Sequence, residues 1–289
     1  MHPKARLSST APIRRVLREF RGRLTMTYSL FAVEMAASLL RPFFLGRAID
    51  GLIAHSYDGL IELSASHLLF LIVGTVRHRY DTRTFTAVYT SFVGNLFAQA
   101  GGTPSVSRLS AHASFARQVV DFFEFDFNYV VEAAYNIIGS LILLSVYDHT
   151  VVGICLGILV PVVVVGRLYG RRAARLNAEQ HRELEQQVDV LASGDAKAVS
   201  AHFARLRTLQ IRLSDQEAWN FGATELLVLV ALAGSLLVYT SEGGAFLQVG
   251  GIVAMYNYVL RFATGLETIP YMAQRAGALV DMLRRMGAP

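Results

Sequence analysis

Three carboxylates lie within otherwise apolar stretches of the chain: Glu34, Glu132 and Glu225. An ionisable side chain in such a stretch is costly and usually faces a protein interior or a water-filled cavity. There it could bind a cationic or polar substrate, or relay a proton. The alternative is a structural role, in which the carboxylate hydrogen-bonds a neighbouring helix or meets water at the end of its stretch. We treat all three as candidates for lining a cavity.

A second group of candidates lies in the last apolar stretch: Tyr256, Tyr258 and Arg261. Tyr256 and Tyr258 are two residues apart and point to different sides of a helix, so at most one is expected to face a cavity fully. Arg261 could bind an anionic substrate, or its long side chain could reach toward the aqueous boundary. It could also pair with one of three carboxylates: Glu132, Glu225 or Glu267.

Several other kinds of chemistry have no motif in this sequence. The single cysteine, Cys155, cannot form a disulfide within the chain. The histidines lack H-x-x-x-H or HExxH spacing, so we expect no metal site. A phosphate-binding P-loop needs G-x-x-x-x-G-K-[ST], but Lys197 is followed by Ala198 and lacks the preceding glycine, and Lys4 has no glycine nearby. We therefore expect this chain to bind no cofactor and not to hydrolyse ATP through such a loop.

Long apolar stretches must position these residues. The chain is 53% hydrophobic with a mean hydropathy of +0.39, as is typical of a membrane protein. A spanning helix needs about 20 mostly apolar residues, and six stretches come near that length or continue into helix-compatible sequence. They lie near Tyr28–Ile53, Leu60–Val76, Val130–Tyr147, Val151–Gly166, Glu225–Tyr239 and Val249–Ile269. The fold class predicted is an all-α polytopic membrane protein with six spanning helices.

The distribution of positive charge predicts the topology. The links His55–Gly59, Asp148–Thr150 and Ser241–Gly244 contain no Lys or Arg, whereas the opposite side holds the basic residues. Cytoplasmic segments carry the excess of Lys and Arg, so both termini and the two long loops are predicted to be cytoplasmic. The net charge of +5 is explained in the same way and does not require a nucleic-acid partner. We expect a multi-pass protein of the cell (plasma or inner) membrane.

The predicted organisation is a flexible segment, residues 1–11, followed by one six-helix domain, residues 12–289. Residues 12–23 are predicted to form an amphipathic elbow helix at the membrane surface. Helices two and four should continue far into the cytosol. Breaks are predicted at Gly101–Pro104 and Ser193–Asp195, with a short connecting helix at Val106–Leu109.

Three finer contacts are also predicted. Arg41, Arg47 and Asp50 could pair with one another near the outer end of helix one. Asp121, Glu124 and Asp126 are expected to form interhelical ion pairs with arginines of helix two: Arg77, Arg79 and Arg83. The spacing Gly153-x-x-x-Gly157 indicates close helix packing.

Three segments resemble a known family. Leu40-Arg41-Pro42-Phe43-Phe44-Leu45-Gly46-Arg47-Ala48-Ile49-Asp50 is similar to the outer end of its first helix. Ser193-Gly194 with Ala198-Val199 is similar to the tip of its second intracellular loop. Gly250–Tyr258, then Gly265-Leu266, Ile269 and Met272, is similar to its sixth helix. The order and spacing of these segments resemble the six-helix transmembrane domain of ABC exporter-type transporters, without the nucleotide-binding domain.

The resemblance implies a function. The chain would be the membrane-spanning subunit of an ABC-type transporter, with the substrate pathway lined partly by helix six. It would work as a homo- or heterodimer in the lipid bilayer, with helices four and five swapped to the second transmembrane protomer. ATP and Mg²⁺ would be bound by a separate ATPase subunit. Residues at the loop tips would couple to that subunit: Thr103, Pro104, Val106, Arg108, Gly194, Asp195 and Lys197.

Two alternatives use the same scaffold without a partner ATPase. One is a membrane scaffold or regulatory protein that works independently of ATP. The other is a proton-coupled carrier that uses the intramembrane glutamates. Charge reversal at the loop tips and neutralisation of Glu132 or Glu225 distinguish these alternatives from the transporter subunit.

Overall fold

The computed structural model describes the backbone of residues 18–99, 106–243 and 248–287. Within these ranges it describes the side chains of residues 18–95, 113–114, 116–241 and 248–269. The elements in chain order are α1 (Arg21–Ile53), α2 (Asp58–Gln99), α3 (Val106–Asp121), a π-helical turn (Phe122–Asp126), α4 (Phe127–Ala134), a second π-helical turn (Tyr135–Gly139), α5 (Ser140–Tyr147), α6 (His149–Glu185), α7 (Gln187–Ala192), α8 (Ala196–Gly243) and α9 (Val249–Gly287). The described residues contain no strand, which confirms the all-α class.

Among the described residues, five helical segments are long and apolar enough to cross a membrane: Arg21–Ile53, Asp58–Asn95, Ala116–Tyr147, His149–Ala192 and Ala196–Ser241. The sixth predicted span lies on α9, whose sequence is more polar. One side of α9 is buried against protein, with Ala254, Met255 and Tyr258 fully covered. A helix packed in this way exposes less of its surface to lipid, so it needs fewer apolar residues than a helix surrounded by lipid.

The chain divides into two compact units. The first comprises residues 1–147 and 244–289 and contains α1 to α5 together with α9. The second comprises residues 148–243 and contains α6, α7 and α8. The fourth and fifth predicted spans therefore pack with each other in a unit of their own.

An apolar cluster holds the base of the first unit together. Leu24 of α1, Phe85 and Phe92 of α2, and Val119 and Val120 of α3 are buried against one another. The prediction that helix two continues past the apolar stretch is confirmed, because α2 runs without interruption to Gln99. Of the predicted elbow helix, the described part is helical at residues 18–19, turns at Phe20 and merges into α1 at Arg21.

The return from the first loop differs from the prediction. Val106 begins a helix of 16 residues that ends at Asp121, so the short connecting helix predicted at Val106–Leu109 was wrong. No proline or glycine lies between Val106 and Asp121, and nothing in the sequence stops the helix. The two π-helical turns that follow were not predicted.

The ion pairs of the first unit also differ from expectation. Asp121 pairs with Arg117 on its own helix at 2.9 Å. Arg77, expected to face the carboxylates near Asp121, pairs with Glu34 of α1 and with Asp81 of its own helix. Glu34 lies on α1, which packs beside α2, and Asp81 lies one helical turn from Arg77 on α2 itself.

The second unit is an antiparallel helical hairpin with a break at its tip. Gly194 has φ +67°, a left-handed conformation that a side chain disfavours, and it ends α7. The Asp195 carboxylate then accepts a hydrogen bond from the Lys197 amide at 2.9 Å and caps the start of α8. The break predicted at Ser193–Asp195 is confirmed. The close packing predicted at Gly153 and Gly157 is not found, since no atom of the described residues lies within 4 Å of a side chain added at either position.

Candidate functional site

Pro42 lies inside α1, which stays helical through it, and a tyrosine of α9 binds the α1 backbone beside it. The Tyr258 hydroxyl accepts a hydrogen bond from the Phe43 amide and donates one to the Leu39 carbonyl, both at 3.1 Å. These two groups are also four residues apart, the spacing of backbone partners in an α-helix. Tyr258 is fully buried, so both of its bonds form away from water.

Arg261 satisfies the carbonyl that proline leaves without a partner. Proline has no amide hydrogen, so residue 42 cannot donate to the carbonyl four residues earlier, at Ser38. The Arg261 Nη2 atom donates to that carbonyl at 2.9 Å and to the Ser38 hydroxyl at 3.1 Å. The Nη1 atom donates to Asn136 Oδ1 at 3.4 Å. Asn136 belongs to the second π-helical turn, so three segments of the first unit meet at Arg261.

The outer part of the α1–α9 contact depends on two glycines. A side chain added at Gly46 or Gly250 would collide with the other residue's backbone. The Asp50 carboxylate accepts a hydrogen bond from the Gly250 amide at 2.7 Å. A carboxylate at a helix N-terminus is stabilised by the unpaired amides there, so Asp50 anchors the start of α9 to α1.

Arg41 adds a second positive charge beside Arg261. Its Nη2 atom donates to the Ser38 hydroxyl at 3.2 Å, and its guanidinium lies 4.3 Å from the centre of the Phe70 ring. Arg47 instead pairs with Glu62 at 3.1 Å, and Asp50 is held by Gly250. Arg41, Arg47 and Asp50 therefore do not pair with one another, because Arg41 and Arg47 face different residues of α2 and Asp50 faces α9.

The remaining cavity candidates differ in burial and in the contacts that they form. Glu34 is 7% exposed and pairs with Arg77, which also lies 4.8 Å from the centre of the Phe31 ring. Glu132 is exposed on α4, and Glu225 is exposed on α8 in the second unit. Tyr256 is 40% exposed while Tyr258 is fully buried, as the spacing of two residues indicated. Within the first unit, Tyr258 and Arg261 both bind the α1 backbone close to Pro42.

The residues predicted to couple to an ATPase fall into two groups. Thr103 and Pro104 lie outside the described residues. Val106 and Arg108 lie in the first turn of α3, where the structure describes only the backbone. In the second unit, Gly194, Asp195 and Lys197 are exposed at the tip between α7 and α8.

A polar cluster near that tip was missed by sequence reasoning. His202 of α8 is fully buried, and its Nδ1 atom lies 2.7 Å from Glu183 Oε1. Arg205 donates to the same oxygen at 2.8 Å. The hydrogen bond from Arg205, followed by that from His202, holds the pKa of the Glu183 carboxyl below its usual range. A scattered histidine carries no sequence signal for such a contact, since its partner lies on another helix.

These elements define a class: a polytopic helical membrane protein with long extensions beyond its apolar spans. The family of ABC transporter transmembrane regions matches residues 13–245 of the chain. The match covers more than half of the chain, so the chain belongs to this family and is a membrane-spanning transporter subunit. The resemblance noted in the sequence is thereby confirmed; α9 lies beyond the matched residues. No curated protein matches the sequence.

Proposed function

We propose that the chain forms the substrate pathway of an ABC-type transporter and couples to an ATPase carried on separate chains. ATP binding would draw the ATPase subunits together, and the loop tips would transmit that motion to the spanning helices. The observation that carries the proposal is the exposed, capped tip at Gly194–Lys197 on a family-matched transmembrane region. ATP and Mg²⁺ would be bound by the partner.

The proposal includes a dimer of transmembrane protomers in the cell membrane. Its support is the division of the chain, in which α6 and α8 pack with each other as a separate unit. Such a unit is what an exchange of two helices between protomers requires. Both termini and both loop tips would lie in the cytoplasm, where the ATPase is found.

Affinity purification in mild detergent from the native host tests the coupling. We expect a nucleotide-binding chain in fixed ratio to this one, with vanadate-sensitive ATP hydrolysis. Lys197→Glu reverses an exposed charge at the tip and should weaken that association. The matched control is Arg207→Glu, a reversal at an exposed position of the same helix, ten residues from Lys197.

Recovery of an oligomer without ATPase activity would contradict the proposal. ATP-independent uptake that is lost in Glu132→Gln or Glu225→Gln would instead identify a proton-coupled carrier. Absence of both activities would favour a scaffold or regulatory role.

A further inference from the structure

Arg41 and Arg261 place two positive charges side by side. Both guanidinium groups donate to the single hydroxyl oxygen of Ser38, at 3.2 and 3.1 Å. A hydroxyl oxygen has two acceptor lone pairs, so these two bonds use both. Ser38 is neutral, and it positions the two cations without balancing their charge.

The pair lies deep in the apolar part of the first unit. Arg41 is twelve residues before the end of α1 at Ile53, and Arg261 is twelve residues after the start of α9 at Val249. At a rise of 1.5 Å per residue, each lies about 18 Å from the outer end of its helix. Since the hydrocarbon core is about 30 Å thick, both charges lie within the membrane. Such charges are costly and mark candidate sites for a substrate or ion.

The described residues provide too little negative charge for the pair. Arg47, Arg77, Arg117 and Arg205 each form an ion pair with a carboxylate, whereas Arg41 and Arg261 form none among the residues described. The charge of Glu132 acts on Arg261, but Glu132 is exposed and is not ion-paired with it. One exposed carboxylate carries a single negative charge, which leaves at least one positive charge of the pair uncompensated.

Both side chains retain unused hydrogen-bonding capacity. The Arg41 Nε atom is buried and donates to no acceptor among the described residues. Arg41 and Arg261 are each only partly buried. A planar guanidinium fork matches the two oxygens of a carboxylate or phosphate. The Phe70 ring beside Arg41 adds an apolar wall.

We propose that Arg41 and Arg261, positioned by Ser38 and Asn136, bind the carboxylate or phosphate headgroup of one anionic amphiphile within the membrane. This inference deepens the proposed function, because it assigns a charge and an amphiphilic character to the transported substrate. The site itself requires only the first unit, and its occupancy can be measured without any ATPase.

Isothermal titration of the full chain with dodecyl phosphate, in neutral maltoside micelles, tests the site. We expect one equivalent to bind the unmodified chain. Arg41→Gln should weaken binding by about tenfold or more, because it removes one charge-assisted pair. It leaves the Arg261 bond to the Ser38 carbonyl in place, so the carbonyl to which Pro42 cannot donate keeps its partner. Arg261→Lys should also weaken binding, since lysine keeps the charge but lacks the fork.

Arg47→Gln is the matched control, because Arg47 lies on the same helix and is already paired with Glu62. It should leave binding of dodecyl phosphate unchanged. Equal affinity of the unmodified chain, Arg41→Gln and Arg261→Lys would overturn the proposal. Equal weakening by Arg41→Gln and Arg47→Gln would also overturn it, since that result reports the charge of the micelle-bound protein and not a site.

Two further measurements identify the source of the headgroup. Phosphatidylglycerol that co-purifies with the unmodified chain but not with Arg41→Gln would support the site and identify a membrane lipid as its ligand. Binding of dodecyl phosphate without retained lipid would support the site and identify a substrate that enters from solution. If the anion binds while no ATPase associates, the coupling fails and the site stands. If the ATPase associates while no anion binds, the site fails and the coupling stands.

Discussion

At the scale of single residues, Tyr258 is the side chain on which the α1–α9 contact most depends. Its hydroxyl holds two backbone groups of α1 that flank Pro42, and it does so while fully buried. Removal of one partner from a buried hydrogen bond leaves the other group unsatisfied. The residue therefore stabilises a helix that its own proline weakens.

Tyr258→Phe should lower the free energy of unfolding by about 1–3 kcal/mol, because the Phe43 amide and the Leu39 carbonyl lose their buried partner. The thermal unfolding midpoint in detergent measures the loss. Tyr256→Phe is the control, since that tyrosine is 40% exposed and forms no hydrogen bond among the described residues. Equal midpoints for the two variants would contradict this role for Tyr258.

Gly46 and Gly250, at the outer end of the α1–α9 contact, predict whether an added methyl group lowers or raises stability. Gly46→Ala should destabilise the protein by about 1–3 kcal/mol, because the added methyl group collides with the Gly250 backbone. Gly157→Ala should be neutral or stabilising, since its methyl group meets no described atom and alanine favours the helix. Thermal unfolding of both variants tests the difference. A more stable Gly46→Ala variant would show that α1 and α9 pack less closely than described.

At the scale of elements, the sequence predicted the features that depend on local residue patterns. Apolar runs predicted the spans, and Gly194 with its polar neighbours predicted the break at the tip. The signs of the charges did not predict that Arg77 pairs with Glu34 and Asp81 and not with the carboxylates near Asp121. The pairing depends on which helices pack together, and the packing of helices is a property of the fold. The π-helical turn that holds Asn136 was equally unpredicted, since no motif in its residues, Tyr135–Gly139, marks a π-helical turn.

The cluster at the cytosolic hairpin makes the stability of that element depend on pH. The hydrogen bonds from Arg205 and His202 hold the folded-state pKa of Glu183 below its usual range. The resulting stabilisation is complete above the ordinary pKa of a glutamate, about 4.3, and is lost as the pH falls through the lower folded-state value. The protection of α6 and α8 amides against hydrogen exchange, measured relative to the intrinsic exchange rate at each pH, should therefore fall below about pH 4.3.

Glu183→Gln should remove the stabilisation by the Glu183 carboxylate, so the protection of the hairpin amides against hydrogen exchange should depend less on pH. Glu185→Gln, an exposed carboxylate two residues away that forms no ion pair among the described residues, should retain it. If the protection of these amides in the unmodified chain stays constant across this pH range, the Glu183 contact does not stabilise the hairpin.

At the scale of the whole molecule, the uneven distribution of arginine predicts the orientation in the membrane. The links His55–Gly59 and Asp148–Thr150 carry no Lys or Arg, while Arg167 and the basic residues after it lie on the other side. Translocation of a basic segment is disfavoured, so the side rich in Lys and Arg stays in the cytoplasm. Ser56 should then be external, and the tip at Ser193 should be cytoplasmic.

Two single-cysteine variants, Ser56→Cys and Ser193→Cys, test this orientation in a Cys155→Ala background. Cys155 is fully buried, and alanine replaces it without adding volume. A membrane-impermeant maleimide applied to intact cells should label Ser56→Cys and not Ser193→Cys, whereas both should react once the membrane is opened. Labelling of Ser193→Cys from outside would place the tip where no cytosolic ATPase can reach it. The distribution of positive charge determines the orientation, and the orientation determines whether the tip can contact a cytosolic ATPase. Orientation is therefore the first property to establish.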